Sequence, residues 1–92
     1  MHVEIVSPEA TLFSGEVTSV TVPGVDGEFQ MLENHAPVVS LLQEGAVKLL
    51  GEIVIDEEHE DKFSKGTSGE TILSISSGTV EMKDNKVIVL AD

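Results

Sequence analysis

Short apolar alternations, each closed by a turn signal, recur along the whole of this 92-residue chain. Apolar residues two positions apart stand at Val3/Ile5, Val20/Val22, Phe29/Met31, Val39/Leu41, Val47/Leu49, Ile53/Ile55, Leu73/Ile75, Val80/Met82 and Val87/Val89. A two-residue period puts alternate side chains on one face of an extended strand, so each pair marks a strand with a face to bury. Between the pairs lie Ser14-Gly15, Pro23-Gly24 with Asp26-Gly27, Asn34 to Pro37, Glu44-Gly45, Gly51, Gly78 and Asp84-Asn85, where Gly and Asn reach positive φ cheaply. Turn signals spaced by about eight to ten residues predict a sandwich or barrel of short antiparallel strands in two layers. Val, Ile and Thr supply 25 residues against four Ala, and β-branched side chains suit a pleated, half-buried surface. The run Val38 to Leu42 also fits one helical turn, but Gly45 stops any helix early and the segment reads as strand.

Charge narrows the partners. Seventeen acids against five Lys and no Arg give a net charge of −12, a surface that repels a nucleic-acid duplex or an anionic bilayer. With no Cys there is no disulfide framework, thiolate cage or thiol nucleophile. The start Met1-His2-Val3-Glu4 lacks the basic region of a signal peptide, and the longest apolar run, Val87 to Ala91, is five residues. Direct membrane insertion is therefore not expected. Three Phe and no Trp or Tyr mean that a binding face works by shape, backbone and charge rather than by aromatic anchors.

One stretch departs from the strand pattern. Residues 56–69 are acid-rich and hold Phe63 as their only large apolar side chain, which predicts a long, mobile hairpin loop in an otherwise single domain of residues 1–92. The cluster Asp56 to Asp61 lacks the spacing that converges carboxylates on a cation and reads as solvated. Asp61-Lys62 resembles the turn on which lipoyl and biotinyl carrier domains hold their cofactor, making Lys62 an attachment site in an alternative reading; a run of turn-prone residues and the following Phe63 favour an ordinary surface lysine. His2, His35 and His59 are too scattered for a metal centre, and no nucleophile elbow or phosphate-cradling loop is present. No catalytic, cofactor or metal residue is assigned. His35 is the histidine set among structure-making neighbours, Asn34 before it and Ala36-Pro37 after it.

Taken in order, a series of short words runs the length of the chain: Val6-Ser7, Leu12-Phe13-Ser14-Gly15 with Val17, Gly27-Glu28, His35-Ala36-Pro37, Glu44-Gly45, Ser77-Gly78 before Val80-Glu81, and Asn85 to Asp92. In that order and spacing they resemble the N-terminal domain of the epsilon subunit of the F-type proton-translocating ATP synthase. The resemblance implies an all-β fold, a flattened antiparallel sandwich of about ten short strands in two sheets. It also implies a rotor part in the central stalk that catalyses nothing, binds no cofactor, and contacts the gamma subunit and the c-ring. Such a part is peripheral, on the cytoplasmic face of the bacterial inner membrane within the F1 sector.

Carried over by residue, the resemblance gives Glu28 to the basic loops of the ring, and Ser7 and the loop of His35, Ala36 and Pro37 to gamma. Pro37 fixes φ and holds Ala36 extended. Asn34 stands where the family usually has Gly, and Asn also tolerates a left-handed backbone. Residues 56–69 form a longer loop than most members show. Other members continue into a two-helix hairpin after the position of Asp92, so the inhibitory arm and ATP site formed there are not expected in these 92 residues.

Overall fold

The computed structural model describes residues 1–92 as β1 (His2–Val6), β2 (Thr11–Glu16), β3 (Ser19–Gly24), β4 (Gly27–Leu32), β5 (Val38–Leu42), β6 (Gly45–Leu50), β7 (Phe63–Lys65), β8 (Thr71–Ile75), β9 (Gly78–Lys83) and β10 (Lys86–Ala91). A 3-10 helix covers Glu57–Lys62. Hydrogen bonding links the strands in the order β2-β1-β10-β9-β5 and β4-β3-β6-β8-β7, and the two halves meet through one residue pair, Gly24 with Leu42. With one pair joining them, the two halves need not be coplanar, and one continuous sheet folds over there as the two layers of a sandwich.

The inner faces supply one buried cluster. Val3 and Ile5 of β1, Val80 and Met82 of β9, and Val87 and Val89 of β10 come from one half; Val20, Val22, Met31, Val47, Leu49, Leu73 and Ile75 come from the other. Each strand interior thus alternates as the two-residue period requires. β1 pairs with β10 in parallel, within an otherwise antiparallel arrangement. These are the first and last strands of the fold, and no tight turn joins them to impose the opposite direction.

Eight of the nine alternations lie in strands, and the ninth does not. Ile53 and Ile55 are half-buried against the core in a segment without ladder partners. Ser14-Gly15 is not a turn but the interior of β2, where Gly15 sits opposite Val3. A Cβ on Gly15 would stand 3.0 Å from Phe13 Cζ, so the glycine leaves room for a buried ring.

Residues 56–69 are more ordered than a long hairpin loop. Their first half is the 3-10 helix, in which His59 is buried, and Phe63 to Lys65 pair with Leu73 to Thr71 as β7. Phe63, half-buried, packs against the core, and Lys65 Nζ donates to Thr71 Oγ1 at 3.0 Å across the ladder. The turn contracts to Gly66–Gly69, closed by Gly66 N–H to Glu70 O at 2.8 Å, with Gly69 at φ +84°.

Candidate docking surface

Position β5 breaks the simple rule of inward apolar and outward polar residues. Its sequence, Val-Val-Ser-Leu-Leu, buries Leu42 and half-buries Val38, while Val39 and Leu41 point out and are 76 % and 63 % exposed. Register extends this outward face across the sheet. Leu41 stands beside Thr79, Thr79 beside Leu90, and Leu90 beside Val6; one row away Val39, Glu81, Ile88 and Glu4 follow in the same order. Residues directly paired share a face, so Val39, Leu41 and Leu90, with the half-buried Ile88 and Val6, make an apolar strip, interrupted by Thr79, Glu81 and Glu4, on the outside of a strongly acidic molecule. A third row, Lys83 and Lys86 with His2 beside them, adds two lysine cations at the end near the β9–β10 turn.

The loop expected to approach a partner lies at that same end. All residues from Glu33 to Pro37 are exposed, and Asn34 is left-handed at φ 59°, as its place before His35 requires. His35 Nδ1 lies 2.7 Å from the carbonyl oxygen of Ala36. A carbonyl only accepts, so Nδ1 is the donor in this contact. Ser7 sits at the other end of the face, just past Val6. It is half-buried in a tight turn in which its N–H donates to Ala10 O at 2.8 Å and its Oγ to the same oxygen at 3.2 Å. Ser7 and the 33–37 loop are therefore not brought together: they bracket the apolar strip, separated by the five-residue length of β1, roughly 16 Å at 3.3 Å per residue.

Glu28 belongs to the other half of the sandwich. It stands on β4, and its Oε2 lies 3.2 Å from Lys48 Nζ on β6, across the intervening β3. Sequence reasoning did not foresee this pairing, since Lys48 becomes a neighbour only once β3 lies between β4 and β6. Lys62 closes the 3-10 helix and runs straight into β7, so it does not cap a protruding turn, and the carrier reading finds no support. No three His, Asp or Glu side chains converge on a metal-sized site, and no helix is long and apolar enough to cross a membrane.

Around the 33–37 loop the ionic contacts are specific. The Met1 ammonium, with its side chain in the core, contacts Glu33, donates to Val17 O at 3.3 Å and lies 3.4 Å from Glu16. The hydrogen bond to Glu33 raises the amine above its ordinary 8.0, and the same bond, followed by one from Asn85, lowers the Glu33 carboxyl below 4.5. A raised amine contributes stability that is fully present below pH 8.0 and lost as pH rises through its folded value; a lowered carboxyl contributes above pH 4.5 and loses it as pH falls through its folded value. The stability difference between the parent chain and Glu33→Gln is therefore expected to be largest between these limits and to shrink on both sides in pH-dependent thermal unfolding. A difference that stays constant well below pH 4.5 and well above pH 8.0 would show that the pair contributes no linkage.

Fold and surface together define a small β-sandwich domain whose most distinctive feature is an outward apolar sheet face bracketed by a held loop and a tight turn. The chain belongs to the family described as ATP synthase, Delta/Epsilon chain, beta-sandwich domain, which it matches over residues 1–92. It is 38 % identical over 92 residues to the ATP synthase epsilon chain of Campylobacter curvus, and 40 % identical over 92 residues to that of Sulfurimonas denitrificans. Both alignments cover 100 % of this chain and 60 % of the relative, so the chain spans about 60 % of the length of these curated relatives. The epsilon chain of Chlorobium limicola is 38 % identical over 89 residues, covering 97 % of this chain and 85 % of the relative. Among solved structures, a chain of the Tetrahymena thermophila mitochondrial ATP synthase central stalk and c-ring superposes with TM-score 0.72 at 13 % identity, covering 98 % of this chain and 61 % of the other. A chain of the Euglena gracilis mitochondrial enzyme superposes with TM-score 0.73 at 18 % identity, covering 97 % and 48 %. At these identities the structural likeness speaks for the fold.

Proposed function

We propose that the chain is a non-catalytic rotor part of an F-type ATP synthase, seated peripherally on the cytoplasmic face of the bacterial membrane, where it carries rotation of the c-ring to the gamma subunit. The observation that carries this reading is the apolar strip on β5, β10 and β1. An apolar sheet face turned outward on a chain of net charge −12 is energetically out of place until a partner covers it. Ser7 and the His35-Ala36-Pro37 loop, assigned to gamma by resemblance, stand at the two ends of that strip. Glu28, assigned to the ring, stands on the other half of the sandwich, which suits two partners engaged at once. A basic ring loop must share the Glu28 carboxylate with Lys48 or displace it, so this contact sets register more than it adds affinity.

Transmission of torque requires a body that does not deform, and a continuous close-packed core between two layers provides one. The test is reconstitution of the motor with and without this chain. Without it, ATP hydrolysis is expected to continue while proton pumping per ATP falls, with recovery on adding the chain back. Normal pumping in its absence would overturn the proposal.

A further inference from the structure

Every residue of the 33–37 loop is exposed, yet the loop has a defined shape, and the groups that define it come from a turn about fifty positions later in the chain. Asp84 and Asn85 form the two-residue connection between β9 and β10, both with positive φ, at 52° and 60°. That geometry turns the Asn85 side chain to the loop. Its Oδ1 accepts the Asn34 backbone N–H at 2.7 Å, and its Nδ2 donates to Glu33 Oε2 at 3.1 Å. Its own carbonyl accepts the His2 N–H at 3.1 Å, which ties the turn to β1. One side-chain amide thus uses its acceptor and its donor on two successive loop residues, immediately before His35. The only other backbone tie of the loop is His35 N–H to Leu32 O at 3.1 Å.

We propose that Asn85 is the positioning residue of the 33–37 loop, holding it in the shape that the gamma subunit recognises, an inference that rests on the docking reading above. Asn85 lies outside the strip and outside the loop, and a role in docking follows only from its hydrogen bonds. An exposed loop that is ordered before binding loses less conformational freedom on docking, so its affinity exceeds that of the same residues on a loose loop. Asn at this position meets three demands together: a left-handed backbone, an acceptor and a donor. Gly would meet only the first, and Asp would meet the first two while placing a second carboxylate against Glu33.

The test uses the full chain in three forms. Asn85→Gly keeps the turn conformation and removes the amide. Its Asn34 amide is expected to exchange with solvent about tenfold faster, and its affinity for isolated gamma subunit to fall about tenfold, with the unfolding midpoint little changed. Asn85→Asp is expected to be as weak. Combined with Glu33→Gln it reverses donor and acceptor across the same contact, since Gln donates where Glu accepted and Asp accepts where Asn donated. This double variant is expected to recover most of the lost affinity, a coupling that general destabilisation of the turn would not produce. Unchanged Asn34 exchange in Asn85→Gly, unchanged gamma affinity with a loosened loop, or absence of rescue overturns the proposal. Failure of the parent chain to bind gamma overturns instead the docking reading beneath it, and the exchange measurement then still judges the clamp in the free chain.

Discussion

Replacing Leu41 by Asp is expected to weaken binding to the gamma subunit by about 10²- to 10³-fold while leaving the free chain folded. Leu41 is 63 % exposed in the free chain, so little core packing is lost, and an outward strand substitution changes stability by about 1 kcal/mol or less. In a covered interface the same change acts twice. It removes the burial of a leucine, about 1.5–3 kcal/mol, and it places an unpaired carboxylate in a desolvated contact, for several kcal/mol more before relaxation. Isothermal titration against gamma and thermal unfolding of the free chain separate the two effects. Val54→Asp is the control. Val54 is the most exposed large apolar residue, at 88 %, but it lies in the segment between β6 and the 3-10 helix and not on the β5-β9-β10-β1 face. If both variants bind alike, exposure alone does not identify the docking face, and the strip loses its assignment.

The same strip shows where the sequence was legible and where it was not. Alternation located β5, but the pair Val39/Leu41 lies on its outer face; with apolar residues on both sides of the run, period alone does not choose which side meets the core. The run Val38-Val39-Ser40-Leu41-Leu42, apolar on both faces but for Ser40, is itself the signal, because a strand covered on both sides reads as a near-continuous apolar run. Asn34 was legible for a local reason: a position that needs positive φ restricts the residue type, and the structure puts it at 59°. Glu33 and Asn85, in contrast, gave no local sign. Their importance arises from a pairing 52 positions apart, created when β5, which follows the loop, pairs with β9, which leads into the Asp84-Asn85 turn. Lys48 with Glu28 is of the same kind. Residues 56–69 misled because composition measures average burial, whereas two well-placed side chains, His59 and Phe63, are enough to seat two turns of 3-10 helix and a three-residue strand.

Gly24→Ala is expected to be strongly destabilising, for a reason that joins fold to function. Gly24 ends β3, pairs with Gly27 across the Val25-Asp26 turn, and pairs with Leu42 as the sole link between the two halves of the sheet. A Cβ there would stand 2.8 Å from the Gly27 carbonyl oxygen and 2.9 Å from Phe29 Cε1. Backbone in a two-residue turn cannot move aside as a long side chain does, so the ring, the turn or the corner has to give. Overpacking of this kind costs about 2–3 kcal/mol, which in a domain of this size lowers the unfolding midpoint by roughly 10–20 °C. Gly27→Ala separates sterics from backbone conformation, since no atom lies within 4 Å of its Cβ position but its φ is +125°. Its loss should come from strain alone and be about 1–2 kcal/mol. A Gly24→Ala midpoint within 2 °C of the parent, a shift of roughly a few tenths of a kcal/mol, would mean that the corner is compliant. A compliant corner would also count against the rotor reading, because Glu28 stands on one side of it and the 33–37 loop with the apolar strip on the other. Only if Gly24 and Leu42 fix the angle between the two halves can a load taken up at one surface reach the other without being lost in bending.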